Sequence, residues 1–335
     1  MTPDRSTLIE TFLSCTAWAT AQRANLAGDA SNRRYERLTD RQSGKTAVLM
    51  DAPGETGEDT RPFVRIATHL RAIGLSAPEI YAQDMELGFL LLEDLGDDLF
   101  ARVIPQSPHM EDPLYTAATD ILIALRNIPC PDLTAFDPPL MAKQASLVFD
   151  TYLAGITGTP EPEISTRFQA VFQDILHQTT QGPPVMMLRD YHAENLLWLP
   201  ERHGVARVGL LDFQDAMLAH PAYDLVSLLQ DARRDVPAAI EQKMIAHYIT
   251  QTGVDDAAFR TAYVVLGVQR NLRIIAVFTR LAAARGKPDY IRLIPRVWAH
   301  LMRGLKHPAL TPLSDMLAQT LPDPTDTNLQ KLMPR

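Results

Sequence analysis

The sequence predicts an α+β protein with a small β-rich N-terminal lobe and a larger, mostly helical C-terminal lobe. Three observations predict it. Up to about Asp94, short apolar runs bounded by turn residues dominate. Beyond Gly96, apolar residues recur at helical spacing instead. Within that helical region lies one strand–turn–strand, 185–211, which carries Asp190, Asn195 and, at its end, Asp212. The expected division is therefore 1–94 and 95–335.

The 335 residues are 46% hydrophobic and 21% charged, an ordinary globular balance. No run approaches eighteen uninterrupted apolar residues, and the N-terminus is broken by charges, so neither a membrane span nor a signal peptide is expected and a cytoplasmic location follows. Cys15 and Cys130 lack zinc spacing and fit free thiols. A net charge of −8 argues against nucleic-acid binding.

In chain order, 6–22 reads as an amphipathic helix capped by Ser6. Gly28-Asp29-Ala30-Ser31-Asn32 then forms a turn whose backbone N–H groups can face phosphates. Arg33, Arg34 and Arg37 follow on an alternating segment, and 45–52 is a strand. A helix over 58–73 has Pro62 in its first turn and Gly74 at its end. Strands are expected at 77–80 and 88–92, the latter running into Glu93-Asp94-Leu95-Gly96. Helices follow over 114–128, 140–153 and 168–177, with a Pro-rich loop at 129–139. The last residues, 320–335, read as frayed.

A helix over 263–284 carries Arg270, Arg273 and Arg280 at separations of three and seven, hence on one face. From Arg260 to Lys306 there are ten Lys or Arg and one acid, Asp289. That face is either solvated or borders a pocket for an anionic ligand.

The chemistry sits at 185–230. The hairpin is expected to bring Asp212 beside Asn195 and Asp190. Two carboxylates and an amide suit nucleotide-dependent phosphoryl transfer. One carboxylate accepts the proton of the attacking hydroxyl, and the other, with the amide oxygen, holds Mg²⁺ on the phosphates. Asp and Asn five residues apart, followed by Asp212-Phe213 on the next strand, match the kinase catalytic pattern.

These residues, with HPAYDL at 220–225, resemble the aminoglycoside phosphotransferase and choline kinase branch of the protein-kinase-like fold. The resemblance implies ATP and Mg²⁺ as cofactors, Asp190 as catalytic base, Asn195 and Asp212 as metal ligands, and Asp224 as a structural support. It makes 28–32 the phosphate-covering loop, with Ser31 toward the phosphates, and has the backbone of Glu93 and Leu95 read the adenine edge. Leu188 stands where the loop usually has His, and Gln214 where Gly follows Asp-Phe.

The third strand departs from the kinase pattern, because Met50 stands at the phosphate-binding lysine. Either an arginine of 33–37 supplies that charge or the chain binds nucleotide without turnover. Arg33 and Arg34 point opposite ways if extended.

The sets GDASNRRYERL, AVLMDAP, FLLLEDLGD, QRNL and GKPDY narrow the resemblance to bacterial kinases of the anomeric C1 hydroxyl of N-acetylmuramate and N-acetylglucosamine. That implies a role in cell-wall recycling, an amino-sugar acceptor bordered by Arg270 and Arg273, and no nucleic-acid, membrane or protein partner. Other small-molecule acceptors, such as an aminoglycoside, choline, homoserine or a fructosamine, stay open.

Overall fold

A computed structural model describes residues 4–26 and 32–334. They form two compact units, Met1–Met110 with Glu194–Ala216, and Glu111–Ala193 with Met217–Arg335. The first unit includes the hairpin that carries Asn195 and Asp212.

The first unit opens with α1 (Arg5–Ser14), which ends before the expected 6–22 span is complete. Its cap is Asp4, whose carboxylate accepts from the Thr7 N–H at 2.9 Å, not Ser6. Strands β1 (Gln22–Leu26), β2 (Arg34–Thr39) and β3 (Thr46–Asp51) follow, then α2 (Arg61–Ala72), β4 (Ile80–Asp84), β5 (Phe89–Glu93) and α3 (Phe100–Gln106). The five strands make one antiparallel sheet in the order β1-β2-β3-β5-β4. Ile9 and Leu13 of α1 share a core with Leu38, Ala47, Leu49, Phe89 and Leu91 of the sheet. The strand expected at 77–80 begins only at Ile80. Pro78 has no N–H for a ladder, and Ser76 makes an isolated bridge to Gly209 instead.

The second unit starts with α4 (Glu111–Leu125), α5 (Pro138–Val148), α6 (Ala154–Thr157) and α7 (Pro162–Thr179). A π-helical stretch, Phe149–Leu153, joins α5 to α6. The chain then enters β6 (Val185–Met187). Next come β7 (Leu196–Trp198) and β8 (Val208–Leu210), which pair with each other in the first unit. A strand not foreseen, β9 (Met217–Ala219), pairs antiparallel with β6. Three residues are too few to show a period of two.

Then come α8 (Ala222–Leu229), α9 (Ala238–Thr252), α10 (Asp256–Arg285), α11 (Ile294–Gly304), α12 (Thr311–Thr320) and α13 (Asp326–Lys331). The tail expected to fray is helical over α13, capped by the Thr325 hydroxyl. The 30-residue α10 is the axis of this unit, with eighteen buried residues. No helix of the described residues is long and apolar enough to cross a membrane.

One glycine is required by the sheet. Gly88 enters β5 at φ +74°, and a Cβ there would lie 2.0 Å from the Ala52 carbonyl oxygen. The same Gly88 offers its own carbonyl to the Ala52 N–H at 2.9 Å. Gly88→Ala is expected to lower stability by about 2–4 kcal/mol through positive-φ strain and the broken hydrogen bond. Urea unfolding of the variant checks it, with Gly44→Ala, positive in φ but open around its Cβ, as the milder control.

Candidate active site

The turn after β6 in the second unit hangs from one carboxylate. After β6 the chain turns at Arg189, which adopts φ 75°. A non-glycine residue holds that conformation only where its surroundings impose it. Here Asp224 of α8 accepts from the Leu188 N–H at 2.6 Å and from the Arg189 N–H at 2.9 Å. One turn on, the Ser227 hydroxyl donates to the Arg189 carbonyl at 3.3 Å. The i,i+3 spacing puts both on one helix face. Burial pushes the Asp224 pKa up to about 7, against the pull of the two N–H bonds. The next residues are anchored by the Tyr191 hydroxyl, which donates to the Ala118 carbonyl of α4 at 2.8 Å.

Asp190 projects from this turn, half-buried. Its Oδ1 lies 3.8 Å from Nη2 of Arg273 on α10. Burial works to raise its pKa, but Arg273 first, with further cations behind it, holds it below the ordinary carboxylate range. It is therefore ionised at neutral pH and able to accept a proton. His192 is buried and pushed down to about 4, so it is the uncharged ring at pH 7. Its Nε2 stands 3.3 Å from Arg233 Nη1. A guanidinium only donates, so Nε2 accepts and the ring hydrogen sits on Nδ1.

The structure speaks against a solvated face for two of the three arginines. Arg270 is 2% exposed and Arg273 8%, so neither is solvated, whereas Arg280 is exposed. Arg270 Nη1 meets the Gln230 carbonyl at 3.4 Å, and Asn271 donates to the Gln230 side chain at 2.9 Å. Gly267 gives Gln230 this place, since a Cβ there would lie 3.1 Å from its amide. Beside it, Asp231 is 1% exposed and accepts from the Arg233 N–H at 2.8 Å. Asp231, His192 and Arg233 were not singled out in the sequence. Only the D-x-H spacing after Asp190 could have flagged His192.

In the first unit, β7 and β8 bring Asn195 and Asp212 together. The Leu211 N–H donates to the Asn195 carbonyl at 3.0 Å. Asn195 Nδ2 then lies 3.5 Å from Asp212 Oδ2, and Gln214 Nε2 donates to Oδ1 at 2.7 Å. Asp212 has φ 56°; with Arg189 it is the second non-glycine residue of positive φ among those described. Phe213 is fully buried, its ring 5.0 Å from that of Phe63 on α2. That packing holds the strained Asp212 in place. A carboxylate and an amide oxygen are hard ligands, and Mg²⁺ on nucleotide phosphates takes one or two such groups, its other positions going to phosphate and water. The donor set fits that ion.

The expected nucleotide residues fall into three groups. Gly28, Asp29 and Ser31 lie outside the described residues. Asn32 and Arg33 meet Glu58: the Asn32 N–H donates at 3.2 Å and Arg33 Nε at 2.8 Å. Arg34 is exposed, and Arg37 is held by Asp94 and Asp97 at 2.7 and 2.8 Å. At the end of β5, the Glu93 N–H is committed to the Glu79 carbonyl at 2.7 Å. The side chain of Leu95 packs over Gly209 of β8, 3.1 Å from where a Cβ would stand.

The chain is similar to known proteins both in sequence and in fold. A family model described as "Phosphotransferase enzyme family" matches residues 23–263. The chain is 36% identical to an N-acetylmuramate/N-acetylglucosamine kinase of Caulobacter vibrioides, over 96% of this chain and 98% of that one. It is 34% identical to a protein of the same name from Pseudomonas aeruginosa, over 87% and 86%. Among solved structures, it is similar to a choline/ethanolamine kinase family protein of Mesorhizobium loti, with a TM-score of 0.64 at 15% identity, covering 98% of both chains. An ADP-bound aminoglycoside phosphotransferase gives 0.60 at 14%, covering 89% and 97%. The fold is thus the two-lobed α+β kinase fold, a small β-sheet lobe and a larger helical one.

If Arg273 is what chiefly holds Asp190 ionised, Arg273→Ala raises the Asp190 pKa. Losing a nearby cation favours the neutral acid, so the carboxylate form fades at a higher pH than in the parent protein. Carbon-detected NMR titration of the Asp190 carboxyl measures this; an unmoved midpoint would contradict it.

Proposed function

Because the chain belongs to the phosphotransferase enzyme family, we propose that it transfers a phosphate from ATP to the anomeric C1 hydroxyl of N-acetylmuramate or N-acetylglucosamine. The observation that carries this reading is Asp190, kept ionised on a strained, braced turn beside the buried Arg273. Asp190 accepts the proton of the attacking hydroxyl. An anomeric hydroxyl is more acidic than an ordinary alcohol, so a carboxylate of low pKa suffices as its base. Asn195 and Asp212 hold Mg²⁺, which supplies charge neutralisation on the phosphates when bound. The backbone of the 28–32 loop, with Ser31, covers the phosphates, and the backbone of Glu93 and Leu95 meets the adenine edge.

The acceptor rests on two supports. The curated relatives named above carry that substrate in their names and align along nearly their whole length. The buried Arg270 and Arg273 suit an acceptor that bears a carboxylate, as N-acetylmuramate does. A polycationic aminoglycoside would meet like charge there. One observation favours a second reading, nucleotide binding without turnover: Met50 at the usual lysine position, 1% exposed.

Phosphorus NMR of reactions with ATP, Mg²⁺ and an acceptor panel tests the proposal. A sugar 1-phosphate is expected from the two N-acetyl sugars; product from choline or an aminoglycoside alone would replace the acceptor, and nucleotide binding with no product would favour the second reading. Asp190→Asn should lower kcat by roughly 10²–10⁴-fold, the usual worth of a positioned general base, while ATP still binds. Asp212→Ala should instead abolish the Mg²⁺ dependence of nucleotide binding, and an unchanged Mg²⁺ titration would remove its metal role.

A further inference from the structure

Phosphoryl transfer in this fold needs a fixed cation on the nucleotide phosphates, and kinases usually take it from a lysine on the third strand, paired with a glutamate of the following helix. In this chain β3 offers no such lysine. Met50 is buried and faces Tyr35 across the β2–β3 ladder. The next residue, Asp51, is engaged by Arg5 of α1 at 2.9 Å.

A guanidinium stands on the neighbouring strand segment instead. Arg33 lies two residues before Tyr35, so in extended chain the two share a face. Glu58 precedes α2 by three residues, and its carboxylate is met twice from the 32–33 segment, by the Asn32 N–H at 3.2 Å and by Arg33 Nε at 2.8 Å. The two side chains of the ion pair are only 12% and 14% exposed. A pair so shielded from water is stiffer and less screened than a surface one. Its bond to Glu58 runs through Nε and so fixes the side chain near its stem, and the Tyr35 hydroxyl is a second partner of the guanidinium, a group whose fork geometry suits phosphate oxygens.

The other two arginines of the segment are placed differently. Arg34 is exposed on the opposite face, and Arg37 is drawn to Asp94 and Asp97. The Tyr35 hydroxyl pairs with Arg33, so Arg33, Tyr35 and Glu58 form one cluster.

We propose that Arg33, held by Glu58, is the cation that receives the nucleotide phosphates in place of the lysine missing from the third strand. Glu58 is its positioning residue. The arrangement keeps the ion pair of the usual design but moves the cation from β3 to the segment entering β2. This deepens the phosphotransfer reading and rests on it, but not on which sugar is the acceptor.

The test compares the full chain with Arg33→Met, Glu58→Gln and the double variant Arg33→Met/Met50→Lys. Binding of Mg²⁺–ATP and of adenosine is measured by calorimetry, alongside kcat and KM for ATP. Arg33→Met should weaken ATP binding about 10–100-fold, the worth of one charge-assisted phosphate contact, and leave adenosine binding unchanged. Glu58→Gln should give a smaller loss of the same kind, and Met50→Lys should restore part of the ATP affinity in the double variant. Wild-type ATP affinity in Arg33→Met overturns the proposal. So do equal losses for ATP and adenosine, which would mark a structural role. A parent protein that binds no ATP would instead sink the phosphotransfer reading itself.

Discussion

A pair of backbone N–H groups ending on one buried carboxylate is the constraint on which the turn that presents Asp190 depends. Leu188 and Arg189 both donate to Asp224, and Arg189 holds a conformation that L-residues avoid. The strain persists because α8 over-determines the turn, with Asp224 and Ser227 gripping the N–H and the carbonyl of the same residue. Removing the acceptor would leave two buried donors unpaired, each at a cost of about 1–3 kcal/mol, which outweighs the strain itself. The direction in which Asp190 projects is thus decided by a helix more than thirty residues later.

Asp212 repeats this logic with other means. Its positive φ is imposed by the β7–β8 hairpin on one side and by Phe213 packed against Phe63 on the other. Asp190 thus follows, and Asp212 occupies, backbone that could not hold its shape in isolation. Such strain gathers where geometry must be kept against the local preference of the chain.

Charge is treated differently in the two units. Around Asp190 the cations are buried on α10, and their effect is to keep a partly desolvated carboxylate ionised. Arg270 itself is pulled down by burial, the cost of placing a guanidinium in the interior. In the first unit Arg33 gains more from Tyr35 and Glu58 than burial takes away. One set of arginines tunes a carboxylate; the other is paired and oriented.

Much of this was legible in the residues. Asp190, Asn195, Asp212-Phe213 and Asp224 lie within one local stretch, and the pattern they make can be read without knowledge of distant contacts. Long amphipathic helices such as α4 and α10 were legible for the same reason, since a period of 3.6 repeats many times in them. Three-residue strands were not, because β9 shows no period and exists only through its partner β6. The face of Arg270 and Arg273 could be read from spacing, but not whether it met water or protein; burial is a property of what packs against a helix. The lysine absent at Met50 was plain in the sequence, while its substitute was not. Arg33, Arg34 and Arg37 are chemically alike, and only the tertiary structure separates them, by bringing Glu58 to the first, solvent to the second and Asp94 to the third. The chain alone determined which chemical groups are present and their local order; long-range packing decided which of them are buried, paired and strained, because those depend on contacts between residues far apart in sequence.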